Sequence, residues 1–385
     1  MKNIGIICEY NPFHKGHAKQ IRRVHEEGGT AICLMSGNFV QRGEPALFDK
    51  WVRAEAAVRC GADLVFELPL TYALRSAEGF AAGGVELFDR MGCIYGLCFG
   101  SESGTEENIM STAKQLCREE FSPILREELA KGVSFPTART RALERLGGDG
   151  ALLVKPNDIL GVEYCKAIIN QGSNLKPMVL RREGDYHADH ADPENPSASF
   201  LRRSDCWEGL VPQPALEVFG SSRRYILAAG ERAMLARLRS LTEAEFEALP
   251  YGSEGLWRKL MHCARSAGSV EEVLDGTKSK RYTHTRISRM LMCAYLGITE
   301  TALQKKAPYV RVLAMNEKGQ KVLRKIRDLD GIPVLNGGEA PKDKEFAELE
   351  RRGADLHDLF GTDGILPAGA ELRGRTFRHT ATDII

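Results

Sequence analysis

The chain has 385 residues, which exceeds one typical domain, and its 53 basic and 52 acidic residues nearly cancel. Two domains are therefore expected, and a global field that would draw the protein to nucleic acid is excluded, so that any such surface must be local. Ten single cysteines without a Cys-x-x-Cys pair exclude a zinc ribbon and a disulfide framework, and the lack of a signal peptide or of a long apolar run predicts a soluble cytoplasmic protein without membrane segments.

The first predicted elements are a strand, a turn and a helix. Ile4–Cys8 is an apolar run typical of a buried strand, and Gly16–Glu27 has helical periodicity. Asn11–His17, between them, carries two histidines in a His-x-Gly-His arrangement at a helix start, where backbone N–H groups and the helix dipole favour phosphate. This pattern predicts a nucleoside triphosphate site for adenylyl transfer, with His14 and His17 as the catalytic donors. The alternative interpretation is a capped helix start with one packed histidine.

Strands continue to alternate with helices up to residue 101. The predicted strands are Ala31–Met35, Asp63–Leu68 and Ile94–Phe99, and the predicted helices are Lys50–Cys60, capped by Asp49, and Ser76–Met91. This alternation indicates an α/β fold with a Rossmann-like parallel sheet. Ligands of such sheets bind beyond the carboxyl ends of the strands, so one cleft is predicted near His14, Ser36-Gly37, Pro69 and Gly100-Ser101.

The middle of the chain is predicted to complete this first domain. Two or three helices are expected over 105–146, another from Lys155 to about Gln171, and a strand over 175–182. The segment 184–198 is polar and bears prolines. Its His187 and His190 could be taken for a metal site, but the surrounding prolines and small polar residues favour a solvated loop. Its functional interpretation is a lid over bound nucleotide. The predicted domains are 1–208, a nucleotidyltransferase-like catalytic domain, and 209–385, a mainly α-helical domain.

A basic block lies in the second predicted domain. Residues 278–327 contain thirteen Lys or Arg but only Glu300 and Glu317 as acids, which favours an RNA-backbone surface over a merely solvated face. Tyr282, Tyr295 and Tyr309 are predicted either to stack on unpaired bases or to pack in the core. The predicted RNA-binding residues are Lys278, Lys280, Arg281, Arg286, Arg289, Lys305, Lys306 and Arg311.

Several long strings of the sequence together resemble one family. They are the segments 9–17 (Glu-Tyr-Asn-Pro-Phe-His-Lys-Gly-His), 35–46, 99–102, 155–161 (Lys-Pro-Asn-Asp-Ile-Leu-Gly), 185–187, 280–283 and 307–311. In these strings the chain is similar to the bacterial tRNA(Met) cytidine acetate ligases. The resemblance extends over nearly the whole sequence and is far more specific than His-x-Gly-His alone.

This resemblance implies an enzyme that forms acetyl-adenylate from ATP and acetate. It would then acetylate N4 of the wobble cytidine of elongator tRNA(Met), releasing AMP and pyrophosphate. Mg²⁺ is expected to bridge the phosphates with few protein ligands, so no metal-binding residue is predicted. No protein partner is implied.

The resemblance also implies which residues contact ATP. Arg182 stands where an apolar residue is expected, and Ser197–Arg202 replaces the usual Ser-Ser-Thr-x-Ile-Arg signature while keeping the hydroxyl of Ser199 and the Arg202 guanidinium. The implied ATP-binding residues are Ile6, Ile7, Cys8, Glu9, Tyr10, Asn11, Pro12, Phe13, His14, Lys15, Gly16, His17, Ala18, Lys19, Gly100, Asn157, Arg181, Arg182, Ser199 and Arg202.

Two other functions fit parts of the pattern. A small-molecule adenylyltransferase would use the same His-x-Gly-His turn, but it would have no need for the basic block. A non-catalytic RNA-binding protein would use the block without needing the histidines.

Overall fold

The structure is a computed structural model that describes residues 2–181 and 196–380. Arg182 and the predicted lid histidines, His187 and His190, lie outside the described residues. The strands are β1 Lys2–Cys8, β2 Gly29–Ser36, β3 Phe39–Val40, β4 Glu44–Pro45, β5 Leu64–Leu68, β6 Gly96–Ser101, β7 Lys176–Arg181, β8 Val310–Met315, β9 Val334–Leu335 and β10 Phe377–Arg378.

The helices of the first half confirm the predicted alternation. They are α1 Lys15–Glu26, α2 Lys50–Arg59, α3 Leu70–Ala73, α4 Ala77–Arg90, α5 Glu106–Leu116, α6 Phe121–Ala130, α7 Phe135–Arg145, α8 Pro156–Gln171 and α9 Ala198–Arg203. Asp49 caps α2 as predicted, because its carboxylate accepts from the backbone N–H groups of Trp51 and Val52 at 2.8 and 2.9 Å.

The helices after residue 209 are numerous, as predicted. They are α10 Gln213–Gly220, α11 Leu227–Ser240, α12 Glu243–Glu247, α13 Leu256–Ser266, α14 Val270–Thr277, α15 His284–Leu296, α16 Glu300–Leu303, α17 Glu317–Leu329, α18 Lys344–His357 and α19 Ala370–Arg373. Short 3₁₀ turns occur at Gly150–Leu153, Ser253–Gly255 and Asp358–Phe360.

The predicted parallel sheet is present, with β1 at its centre. Within the described residues the strand order is β10-β8-β5-β2-β1-β6-β7, with β9 also paired to β8. The strands β5, β2, β1, β6 and β7 are all parallel, in register pairs such as Ile6 with Cys33. Because helices cover both faces, β1 and β2 are almost continuously apolar and buried. The carboxyl end of β1 therefore lies in the middle of the sheet edge where ligands bind.

The sheet also receives three strands from the part of the chain predicted to be mainly helical. β8 pairs antiparallel with β5, and β9 and β10 are parallel to β8. Meanwhile α11, α13, α14 and α15 pack around their own apolar core, which includes Trp257 and Tyr295. The boundary at 208/209 remains a prediction, and residues on its far side complete the sheet that residues on its near side begin.

A buried cluster of charged side chains connects β8 with the neighbouring strand β5 and with α2. Lys50, only 2 % exposed, donates to both carboxylate oxygens of Glu67 at 2.7 and 2.8 Å and to Glu371 at 2.5 Å. Arg311 on β8 pairs with the other oxygen of Glu371 at 2.8 Å. Burial opposes the charge on Lys50, but attraction by Glu371 and Glu67 outweighs it and raises the pKa of Lys50.

The same cluster corrects one predicted RNA-binding residue. Arg311 is 3 % exposed, and besides Glu371 it donates to the backbone carbonyls of Asn336 and Glu339. Its guanidinium is thus buried in the interior, where a phosphate of an RNA backbone does not reach it.

Among residues 2–181 and 196–380, no helix is long and apolar enough to cross a membrane.

Candidate active site

The His-x-Gly-His segment forms the turn from β1 into α1, as predicted. The chain leaves β1 at Cys8, and Tyr10 takes a left-handed conformation with φ of 47°. His14 then occupies the N-cap position of α1. The first turn of α1 consequently lies beside the carboxyl end of the central strand, so its backbone N–H groups and positive dipole end are available at that edge of the sheet.

The two histidines cap the helix reciprocally. The Nδ1 atom of His14 accepts from the N–H of Gly16 at 3.1 Å, and Nδ1 of His17 accepts from the N–H of His14 at 3.2 Å. Their rings stack with centroids 3.7 Å apart. Because each Nδ1 accepts, each neutral ring carries its proton on Nε2, which makes Nε2–H a donor of fixed direction.

The capping interpretation of this motif is confirmed, and the role of the two histidines as donors toward phosphate stays a prediction. His14 is 2 % exposed, as a packed capping residue should be, yet both histidines border a cleft. The cap itself orients the rings, so the structural role and a role as donors toward phosphate do not compete.

The cleft has a volume of about 1930 Å³ and runs from the β1–α1 turn to the helices around α15. Ligand pockets usually measure ~300–1,000 Å³, so this one has room for more than one ligand. The predicted ATP-binding residues that line it are Ile7, Cys8, Glu9, Tyr10, Asn11, His14, Gly16, His17, Gly100, Asn157 and Arg202. The predicted RNA-binding residues that line it are Arg281, Arg286 and Arg289.

The other predicted residues within the described part of the chain are not on the cleft wall. Ile6 and Phe13 are fully buried in the core on the α1 side of the sheet. Lys278, Lys280 and Lys306 are exposed outside the cleft. The remaining predicted residues that do not line it are Pro12, Lys15, Ala18, Lys19, Arg181, Ser199, Lys305 and Arg311.

The wall bearing Gly100 and Asn157 is built by two acidic residues. Glu102, just after β6, accepts from the side chain of Asn157 at 2.6 Å and from the N–H of Asp158 at 2.9 Å. Asp158 in turn accepts from the N–H of Glu102 at 2.8 Å and from the hydroxyls of Ser101 and Ser103. Burial opposes its charge, but these hydrogen bonds outweigh burial and lower the pKa of Asp158. Asp158 is therefore an ionised structural residue that fixes the start of α8 against β6.

Arg202 also contacts the β1–α1 turn. It donates to the backbone carbonyl of Asn11 at 2.8 Å and to the hydroxyl of Ser199 at 3.3 Å. The hydroxyl of Ser197 caps α9 by accepting from the N–H of Phe200 at 3.2 Å. The guanidinium of Arg202 thus lies at the His-x-Gly-His turn, and its contact with phosphate stays a prediction.

Arg53 is a part of the site that sequence reasoning missed. It is fully buried and donates to the carbonyls of Phe48 at 2.9 Å, of Glu9 at 2.5 Å and of Gly37. Burial lowers its pKa to about 10, so the guanidinium stays charged at neutral pH. No local pattern marks this residue, because its three acceptors come from three separate segments.

The basic residues near α15 have mixed surroundings. Arg281 is exposed and pairs with Glu254 at 2.9 Å, whereas Arg286 donates to the carbonyl of Tyr251 at 2.9 Å and lies over the ring of Tyr282. Arg289 is mostly buried, over the ring of Tyr251.

The three tyrosines of the basic block differ in their burial. Tyr295 and Tyr309 are buried, so the core-packing interpretation is confirmed for both and base stacking is excluded. Tyr282 is half-buried on the cleft wall, and its stacking on an unpaired base stays a prediction.

Among residues 2–181 and 196–380, no group of three or more His, Cys, Asp or Glu side chains could hold a metal ion. The cleft wall therefore provides no protein cage for Mg²⁺ in the part of the chain that the structure describes. An ion accompanying ATP would be held mainly by phosphate oxygens and water, as is usual for Mg²⁺.

Known proteins resemble this chain over most of its length. A family model described as HIGH Nucleotidyl Transferase matches residues 1–363. The tRNA(Met) cytidine acetate ligase of Clostridium novyi is 38% identical over 357 residues, covering 87% of this chain and 89% of that protein. The protein of the same name from Halothermothrix orenii is 36% identical over 87% of both chains.

Solved structures agree over the same extent. The crystal structure of apo Thermotoga maritima TmcAL (form I) superposes with a TM-score of 0.89 at 31% identity, covering 98% of this chain and 100% of that one. The structure of TmcAL bound with alpha-thio ATP gives 0.87 at 31% identity. The chain thus belongs to the HIGH nucleotidyl transferase family and, within it, to the tRNA(Met) cytidine acetate ligases, which are ATP-dependent enzymes.

Proposed function

We propose that this protein activates acetate with ATP as acetyl-adenylate and transfers the acetyl group to N4 of the wobble cytidine of elongator tRNA(Met), releasing pyrophosphate and AMP. The observation that carries the proposal is the continuity of one cleft from the His-x-Gly-His turn to Arg281 and Arg286. A cofactor-sized ligand would fill only part of that cleft, which leaves room for a nucleotide of a polymeric substrate. As a tRNA-modifying enzyme it would act in the cytoplasm.

The first step needs charge stabilisation more than covalent chemistry. An acetate oxygen attacks the α-phosphorus of ATP, a new O–P bond forms, and the bond to the bridging oxygen breaks as pyrophosphate leaves. Negative charge builds on the phosphate oxygens, where the Nε2–H groups of His14 and His17 and the N-terminus of α1 would donate. Arg202, which donates to the carbonyl of Asn11, would add a positive charge at the same turn.

ATP would lie along residues 6–19 and contact Gly100, Asn157 and Arg202. The side chains of Ile6 and Phe13 would support this segment from the core rather than contact the ligand. Mg²⁺ would accompany the triphosphate. Roles for Arg181, Arg182 and Ser199 toward phosphate, and for a lid over 184–198, remain predictions.

The second substrate would approach from the α15 side. Lys278, Lys280 and Arg281 are exposed at that end, where phosphates of an anticodon loop would neutralise them. Tyr282, with Arg286 at 4.9 Å from its ring centre, offers a face on which an unpaired base would stack.

The two halves of the proposal predict different salt dependences. With three phosphate contacts, through Lys278, Lys280 and Arg281, tRNA affinity should fall about 20-fold from roughly 50 to 200 mM salt at the slope of a single strand, whereas acetate-dependent exchange of pyrophosphate into ATP should change far less. Replacing both Lys278 and Lys280 by Gln should flatten the salt slope of tRNA binding and leave exchange unchanged. Filter binding and the exchange assay measure the two quantities on the same preparation.

Three outcomes would contradict the proposal. Exchange that is indifferent to acetate would favour a small-molecule adenylyltransferase. Tight tRNA binding without any exchange would favour a non-catalytic RNA-binding protein. Equal salt sensitivity of binding and exchange would count against separate sites for tRNA and ATP.

A further inference from the structure

Transfer of the acetyl group needs an acceptor for the proton that the cytidine amine loses, and the carboxylates near the strand ends differ sharply in their capacity to provide one. Asp63 accepts from the N–H of Ala31 and from Asn316, both at 2.8 Å, and from His25 at 2.9 Å. Three partners thus occupy this carboxylate, which leaves it a structural role.

Glu67 and Asp158 are committed as well. Both oxygens of Glu67 are held by Lys50, and the oxygens of Asp158 are held by Ser101, Ser103 and the backbone after β6. Neither residue lines the cleft. A proton taken up by either one would break a buried network instead of serving a substrate.

Glu9 is different on each of these counts. It is half-buried on the cleft wall, two residues before Asn11 and at the carboxyl end of the central strand. Its Oε1 accepts from the N–H of Gln41 at 2.7 Å, whereas Oε2 makes no hydrogen bond or ion pair with any residue in 2–181 or 196–380. One oxygen therefore fixes the carboxylate while the other remains available to a ligand.

The backbone beneath Glu9 is held rigidly. Arg53 donates to its carbonyl at 2.5 Å, and the adjacent turn is closed by the His14–His17 cap. The charged groups around the carboxyl are Arg202, Arg42 and Arg53, and they oppose the dominant effect of burial, which raises the pKa of Glu9. A raised pKa is the direction that improves a carboxylate as a proton acceptor.

We propose that Glu9 is the general base of the acetyl-transfer step, a role that rests on the proposed function. In this step N4 of cytidine attacks the carbonyl carbon of acetyl-adenylate and forms the C–N bond. The bond from that carbon to the phosphate oxygen breaks, AMP leaves with the electron pair, and the N4 proton moves to Oε2 of Glu9. A carboxylate repels the phosphates of ATP, so direct phosphate binding does not account for Glu9 at this position, whereas proton acceptance in the second step does.

The test separates the two half-reactions in a Glu9→Gln variant. Glutamine retains the size of the side chain and an oxygen to accept from Gln41, but it does not accept the proton. Transfer from preformed acetyl-adenylate to tRNA should fall ~100-fold or more, whereas acetate-dependent pyrophosphate exchange should fall only a few-fold. Glu9→Asp, which keeps the carboxylate, should recover part of the transfer rate, and Glu27→Gln, at the exposed C-cap of α1, serves as the matched control.

Each result other than this split overturns the assignment. Equal losses of exchange and transfer would place Glu9 in ATP binding, and recovery of activity at high Mg²⁺ would make it a metal ligand. Unchanged transfer would exclude it as the base. If the unmodified protein itself lacked acetate-dependent exchange, the proposed function would fail together with the assignment, so the two failures are distinguishable.

Discussion

Replacing His17 by asparagine is expected to lower the rate of acetate-dependent pyrophosphate exchange by ~100- to 1,000-fold, or ~2.7–4 kcal/mol in the barrier, the cost of removing one positioned donor from a developing anion. The reason lies in the capping geometry. With Nδ1 accepting from the N–H of His14, the Nε2–H of His17 is held as a donor beside the cleft. Asparagine at this position accepts from the same N–H but has no group in the place of Nε2–H.

Another helix of this protein shows that asparagine can replace histidine in such a cap. In α5, Asn108 closes the same kind of capping box by accepting from the N–H of Thr105 at 2.6 Å. The free energy of unfolding should therefore change by less than about 1 kcal/mol. His262→Asn, on the exposed side of α13, is the control and should retain full exchange. A His17→Asn protein that is stable and exchanges at the normal rate would show that the imidazoles only cap the helix.

Replacing Lys50 by methionine is expected to lower the free energy of unfolding by ~3–5 kcal/mol. Lys50 neutralises Glu67 and Glu371 in a region that is closed to water, and without it both carboxylates lose their shared partner. Glu350 is buried beside the same charges, and burial raises its pKa to about 8, so it is mostly protonated at neutral pH. Without Lys50, Arg311 would remain as the cation paired with Glu371. Urea denaturation at pH 7 measures the loss.

Two further variants check that the cause is an unpaired buried charge. Lys131→Met removes an exposed lysine that pairs with the buried Glu128 at 2.6 Å, and it should cost less than about 1 kcal/mol because Glu128 keeps Arg145 as a partner at 3.1 Å. Adding Glu67→Leu to Lys50→Met should restore part of the lost stability, since one of the two stranded carboxylates is then gone. A loss for Lys50→Met no larger than that for Lys131→Met would contradict the account of this cluster.

What could be predicted from sequence was the part of the fold that depends on neighbouring residues. The β1–α1 turn, the cap of α2 by Asp49 and the alternation up to α8 follow from local periodicity and turn chemistry, and all are present. The carboxyl ends of the parallel strands lie at one edge of the sheet as expected. His14 and Gly100 line the cleft there, whereas Ser36, Gly37, Pro69 and Ser101 do not.

What could not be predicted depends on contacts between distant segments. β8 is a strand because it pairs with β5, about 250 residues earlier in the chain, and no local pattern encodes that partner. Arg311 was counted with the basic block because its counter-ion, Glu371, lies sixty residues further on. Arg53 could not be predicted for the same reason, because its acceptors lie in distant segments. The difference between Glu9 and Glu67 could not be predicted either, because it depends on which hydrogen-bond partners each carboxylate has in the folded protein.

The most direct test of the account is to incubate the protein with labelled acetate, ATP and total tRNA, then to digest the tRNA and separate its nucleosides. The account predicts label in N4-acetylcytidine from elongator tRNA(Met), with one AMP and one pyrophosphate formed for each acetyl group transferred. Label confined to small molecules, label in another nucleoside, or acetylation that proceeds without ATP would contradict it.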